Sequence, residues 1–166
     1  MPVQKIQTCS KLFLFFIATL KKKVLSEGLN FEDCLKTEKI KKFSRGKSLA
    51  PKEIRLAEED LRIAQKSFKD ENYRWCVIQT YYSMFHSARA LLYFENYREH
   101  SHYCLIQAIK ELYVKSGKLE VSFLEALIEA KNLREAADYY GEYSDTNAKK
   151  FLDKAENFIE RVKEIL

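Results

Sequence analysis

The apolar positions of this chain fall into helical registers along most of its length. From Pro51 onward, Ile54, Ala57, Leu61, Ala64 and Phe68 step by three and four residues, which lays a narrow apolar stripe along one helix face. Pro51 itself suits a first helical turn, where its missing N–H costs nothing. A short polar turn, Lys69 to Asn72, separates this helix from Tyr73 to Phe94. That second segment is apolar on nearly every face, through Trp75, Val77, Ile78, Tyr81, Tyr82, Met84, Phe85, Ala88, Leu91 and Leu92. A helix apolar all round is buried on more than one side. Its expected place is the bundle centre, with its second face against another subunit.

After the polar stretch Glu95 to Ser101, a third helix is predicted to about Ser116, with Leu105, Ile109, Leu112 and Tyr113 on one face and Gly117 as its stop. A fourth runs from about Val121 to Tyr140, before Gly141. The last, from about Thr146 to Leu166, sets Ala148, Phe151, Leu152, Ala155, Phe158, Ile159, Val162 and Ile165 along one face. Proline occurs only at positions 2 and 51, and no run alternates well enough to predict a strand. The expected fold class is therefore all-α: an up-and-down bundle of four to five helices over residues 51–166, because short connections favour antiparallel neighbours. Residues 1–50 are expected to form a separate basic arm, partly helical or flexible, with a lysine-rich hinge from Lys36 to Ala50.

Charge sharpens that division. The chain carries +5 overall, but residues 1–50 hold ten lysines and one arginine against four acids, or +7, which leaves −2 for the remainder. Such an arm attracts phosphates through counterion release, or is simply a solvated tail. Within it, Leu12 to Leu20 (LFLFFIATL) resembles the core of a signal peptide. It is too short to span a bilayer, which needs about 20 residues. Lys21, Lys22 and Lys23 stand where a cleavage site would want small residues. A helix lying on the domain or on a membrane surface is expected, without stable membrane insertion, and the protein is read as cytoplasmic. Cys9, Cys34, Cys76 and Cys104 form no Cys-x-x-Cys pair, and all four are expected to be reduced.

Candidate chemistry is sparse. Four glycines cannot build a backbone phosphate loop, and no His-Glu-x-x-His or Gly-x-Ser-x-Gly occurs. His86 sits in the apolar second helix, as a core or interface residue or as a catalytic one. His100, His102 and Cys104 alternate, yet such positions do not share a helix face, so neither a metal nor a cofactor is expected. Two aromatic clusters, Tyr81, Tyr82 and Phe85 and then Tyr139, Tyr140 and Tyr143, suit either base stacking or core filling.

The stretch Tyr81-Tyr82-Ser83-Met84-Phe85-His86-Ser87-Ala88-Arg89-Ala90-Leu91-Leu92 resembles the signature helix of the HEPN family, in its branch of small prokaryotic proteins associated with minimal nucleotidyltransferases. Ala57-Glu58-Glu59-Asp60-Leu61 is similar to that family's first helix. Leu133-Arg134-Glu135-Ala136-Ala137-Asp138-Tyr139 is similar to its arginine, alanine, aspartate, tyrosine element, and the closing helix with Ala155 and Phe158 fits too. The likeness covers about Pro51 to Leu166.

The resemblance implies a helical, dimeric protein of defence or toxin–antitoxin systems. Many such domains are metal-independent ribonucleases whose arginine and histidine, with four to six residues between them, face their twins across a dimer. Histidine relays the proton of the attacking 2′-hydroxyl while arginine stabilises charge on the phosphate. Arg134 falls at the arginine. Tyr139, Tyr140 and Gly141 hold the positions where the histidine would stand, and a tyrosine is a poor general base at neutral pH.

The leading expectation is therefore a non-enzymatic or weakly active homodimer that binds nucleotide or RNA and pairs with a nucleotidyltransferase-like protein. Its ligand contacts would be Arg134, Asp138 and Tyr139, with His86 and Arg89 behind them. One alternative is a ribonuclease toxin using Arg134 with His102 or His100 from another helix or subunit. Another is a purely structural interaction module in which Arg134 and Asp138, four residues apart, form only a surface ion pair.

Overall fold

The computed structural model describes residues 28–166. The apolar run at 12–20 and Cys9 lie outside the described residues. The chain there forms helix α1 (Phe31–Lys36), strand β1 (Ile40–Lys42), helices α2 (Gly46–Lys69) and α3 (Tyr73–Phe94), strand β2 (Tyr97–Glu99), and helices α4 (His102–Ile109), α5 (Val121–Glu135) and α6 (Asp145–Ile165). A π-helical turn extends α4 over Lys110–Val114, and another extends α5 over Ala136–Tyr140. The fold is the all-α bundle expected, and α3 has the bounds that its apolar run predicts.

Each helix end has a local cause. Glu71 adopts φ 58° in the tight turn between α2 and α3, and Asn96 does the same after α3, a conformation asparagine tolerates well. Gly117 (φ 73°) and Gly141 (φ 66°) supply the left-handed residues that stop the two π-ended helices. Ser144 caps α6, its side-chain oxygen accepting the N–H of Asn147. Helix α6 then buries Ala148, Phe151, Leu152, Ala155, Phe158, Ile159 and Val162, while α2 contributes Ala57 and Ala64 to the same interior. Small residues on α2 let the helices approach closely, and the long side chains of α3 and α6 fill the space between them.

Three expectations are corrected. First, the stretch from Lys36 to Ala50 is no hinge: it holds β1 and the first turn of α2. Ile40, Lys41 and Lys42 pair antiparallel with Glu99, Arg98 and Tyr97. Helix α2 begins at Gly46 rather than at Pro51, because tertiary contacts support its start. The Asn96 side chain accepts the N–H of Lys47, and a Cβ on Gly46 would meet the Tyr93 carbonyl oxygen at 2.5 Å. Second, Cys34 and Cys104 are joined in a disulfide, with Cα atoms 5.8 Å apart, so the reading of all cysteines as reduced fails. Helix α1 folds back onto α4, a contact between residues 70 apart in sequence that spacing alone does not reveal. Cys76 remains a free thiol whose pKa is raised by burial. Third, the outer face of α3 needs no second subunit. Helices α2, α4, α5 and α6 and strand β2 all pack on it, and Trp75 is its one large apolar side chain left exposed.

No helix among the described residues is long and apolar enough to cross a membrane.

Candidate functional site

Helix α3 carries two polar clusters. In the first, His86 Nδ1 lies 2.7 Å from Glu53 Oε2 and its Nε2 lies 3.7 Å from Asp60 Oδ2, both carboxylates belonging to α2. One turn on, Arg89 donates through Nε and Nη2 to Glu99 Oε1 of β2, at 2.7 and 2.5 Å, and its Nη1 is 3.8 Å from Glu53. The guanidinium lies over the Phe85 ring, 4.4 Å from its centre. Burial raises the pKa of Asp60, while the neighbouring His86 pulls it down. Both side chains face carboxylates of the same chain. Only Glu99 Oε2 is sealed from water without a partner.

The second cluster gathers side chains from three elements. The hydroxyl of Tyr81, a buried residue, lies 2.6 Å from Nδ1 of His102 in the first turn of α4. The His102 ring packs on Phe85, with ring centres 4.5 Å apart. Burial, and then the positive charges of Lys131 and Arg134 on α5, lower the pKa of His102 and favour its neutral form. Burial raises the pKa of Tyr81, which keeps its hydroxyl protonated. Arg134 Nη2 is 3.1 Å from Asp138 Oδ2 and 3.4 Å from the Tyr82 hydroxyl, and the guanidinium lies near the rings of Tyr82 and Tyr139. Its Nε has no partner and is sealed from water. Lys131 is paired with Glu135.

The π turn sets the geometry of this end. One extra residue per turn widens the helix, a feature that recurs at functional sites. Arg74 braces it, donating from Nε to the Ala137 carbonyl (3.1 Å) and from Nη2 to the Asp138 carbonyl (3.2 Å), with the Asp138 carboxylate 3.5 Å away. Sequence reasoning missed Arg74. The available signal was a cation in the first turn of a helix, where it opposes the dipole and so wants a tertiary partner.

Of the sequence-predicted residues, Arg134, Asp138, Tyr139 and His102 come together. His86 and Arg89 belong to the carboxylate-rich cluster instead. His100 enters the structure through its backbone N–H, bonded to the Lys39 carbonyl at the end of the β-ribbon. The surface ion pair of Arg134 with Asp138 does form, but Arg134 also touches two tyrosines. Among the described residues no three His, Cys, Asp or Glu side chains converge to hold a metal ion. Tyr139 and Tyr140 stand exposed at this end, while Arg134 is only partly exposed. Among the described residues a groove of about 510 Å³ runs between α5 and α6, where Lys154 and Arg161 are already paired with Glu129 and Glu120.

Comparison with known families matches residues 51–165 to the HEPN domain. The chain belongs to the HEPN family. Two proteins of Methanocaldococcus jannaschii, each named as a candidate toxin, are similar to this HEPN protein. One is 33% identical over 68% of this chain and 85% of its own length; the other is 30% identical over 68% and 78%. A UPF0332 protein of Archaeoglobus fulgidus is 36% identical over 66% of this chain and 89% of its own length. In this HEPN protein Tyr139 is 70% exposed, and His102 of α4 lies close enough to Arg134 for that cation to lower its pKa.

Proposed function

We propose that this HEPN protein is a toxin-type, RNA- or nucleotide-binding protein of the cytoplasm, a homodimer that pairs with a nucleotidyltransferase-like protein. The similarity to proteins named as toxins supports the class. The observation that carries the binding role is the short Tyr81–His102 hydrogen bond. Tyr81 is buried and its hydroxyl has no other partner among the described residues, so its proton is best placed on His102 Nδ1. The reverse arrangement would leave a buried O–H unsatisfied, at a cost of about 1–3 kcal/mol. A neutral His102 that accepts at Nδ1 carries its own proton on Nε2, which makes it a hydrogen-bond donor and not a general base. A fixed N–H donor beside Arg134, Lys131 and the face of Tyr139 suits a phosphate with a stacked base.

Titration calorimetry with a single-stranded oligoribonucleotide and a nucleotide series tests this. Arg134→Ala should weaken binding about 30-fold, the equivalent of about 2 kcal/mol, and His102→Ala about tenfold. If the parent protein binds neither probe, the phosphate reading is finished and Arg134 is an element of packing. The convergence of His102 with Arg134 favours one second reading, a metal-independent ribonuclease. Cleavage of RNA in the presence of a chelator, lost in His102→Ala, would put that reading first. The dimer, whose mass in solution is the check, would form on a surface other than α3.

A further inference from the structure

We infer that the bundle end formed by the start of α3, the π turn after α5 and the following loop docks a lysine- and arginine-bearing segment of a partner protein. This surface adjoins the proposed phosphate site at the π turn but is built on Trp75, Tyr140 and Tyr143 rather than on Arg134, Tyr139 and His102. Large aromatic side chains stand out from it: Trp75 is 51% exposed and Tyr140 78%, with Tyr143 beyond them in the loop. Exposed aromatics grouped in this way typify interaction surfaces.

Charge decides the partner. Glu71, Glu142 and Asp145 lie at this same end, and none of them forms an ion pair among the described residues. Burial raises the phenol pKa of Tyr73, and the carboxylates of Glu71 and Asp145 raise it further. Arg74, whose guanidinium is 6.0 Å from the Trp75 ring centre, spends its donors on the carbonyls of Ala137 and Asp138. The local field is therefore negative and uncompensated. RNA phosphates are repelled by such a surface, although its rings could stack on bases. Lysine and arginine side chains satisfy both features at once, lying over the aromatic faces while pairing with the carboxylates.

The chain's single tryptophan reports on this surface. The full-length protein is titrated with a lysine- and arginine-rich peptide, its glutamate counterpart and a single-stranded oligoribonucleotide, and Trp75 emission is followed. The basic peptide should shift emission to the blue and bind more weakly at high salt. The paired substitution Glu71→Lys with Glu142→Lys should weaken it about tenfold. Tyr140→Ala, at an exposed position that leaves the fold intact, should weaken it as well when followed by calorimetry. Arg134→Ala should leave it unchanged, which separates its failure from that of the RNA reading. A shift produced by RNA and not by the basic peptide overturns the inference. So does emission already blue and unmoved in a protein of two-subunit mass, since a second copy would then cover the surface.

Discussion

The two polar clusters along α3 use similar residues to opposite ends. Around His86 and Arg89, carboxylates from α2 and β2 meet both side chains, and the residues are largely shielded from solvent. Around His102 and Arg134, two of the cations lower a histidine's pKa, and one guanidinium nitrogen has no partner. A largely buried network rich in carboxylates holds elements together. At the α5 end Arg134 and Lys131 are paired with Asp138 and Glu135, but a neutral histidine and an exposed tyrosine lie beside these cations, the groups that an added anionic ligand would meet. The contrast shows why an arginine and a histidine in the signature helix are a weaker guide to the ligand than the same residue types at the α5 end.

The cluster around His86 and Arg89 should respond most strongly to substitution. Glu99→Ala strips the buried partner from Arg89 and is expected to cost about 3 kcal/mol in urea unfolding, with RNA affinity unchanged. An unaltered unfolding midpoint would remove the contrast. Next comes the link between α1 and α4. Cys34→Ser should lower stability by about 2–4 kcal/mol, since the disulfide closes a long loop. Thiol alkylation with and without reductant, followed by mass measurement, checks that the bond is present. Tyr81→Phe should cost only about 1 kcal/mol of stability. It also frees His102 to exchange tautomers, so RNA affinity should fall while any chelator-resistant cleavage rises. Equal RNA affinity in the two proteins would mean that His102 is not held as a donor.

The smallest effect is one of pH. Burial, Lys131 and Arg134 hold the His102 pKa below its ordinary value, so the unfolded chain binds this proton more readily than the folded one. Stability from this source is complete above pH 6.5 or so and is lost as pH falls below that value. His102→Gln should flatten that part of the pH–stability curve, and an unchanged slope would assign it to other groups.

Much of the bundle was legible because helix signals are local. The apolar run of α3, the stripe of α6 and the stops at Gly117 and Gly141 each act over a few residues. The candidate site was legible in part. Arg134, Asp138 and Tyr139 share one helix end, so their proximity follows from spacing. Tyr81 and His102 are 21 residues apart on different helices, and only the packing of α4 against α3 brings them together. The fates of His86 and Arg89 were hidden for the same reason, since Glu53 and Glu99 lie on other elements.

By itself, the order of apolar and polar residues determined the helices, their main stops and the class of fold, because backbone hydrogen bonding and side-chain periodicity repeat within single turns. Only the tertiary structure decided that Cys34 meets Cys104, that Ile40 pairs with Glu99, and which histidine stands beside Arg134. Those contacts depend on the angles and distances at which finished helices pack, and these follow from the summed shapes of many side chains rather than from any one stretch of the chain.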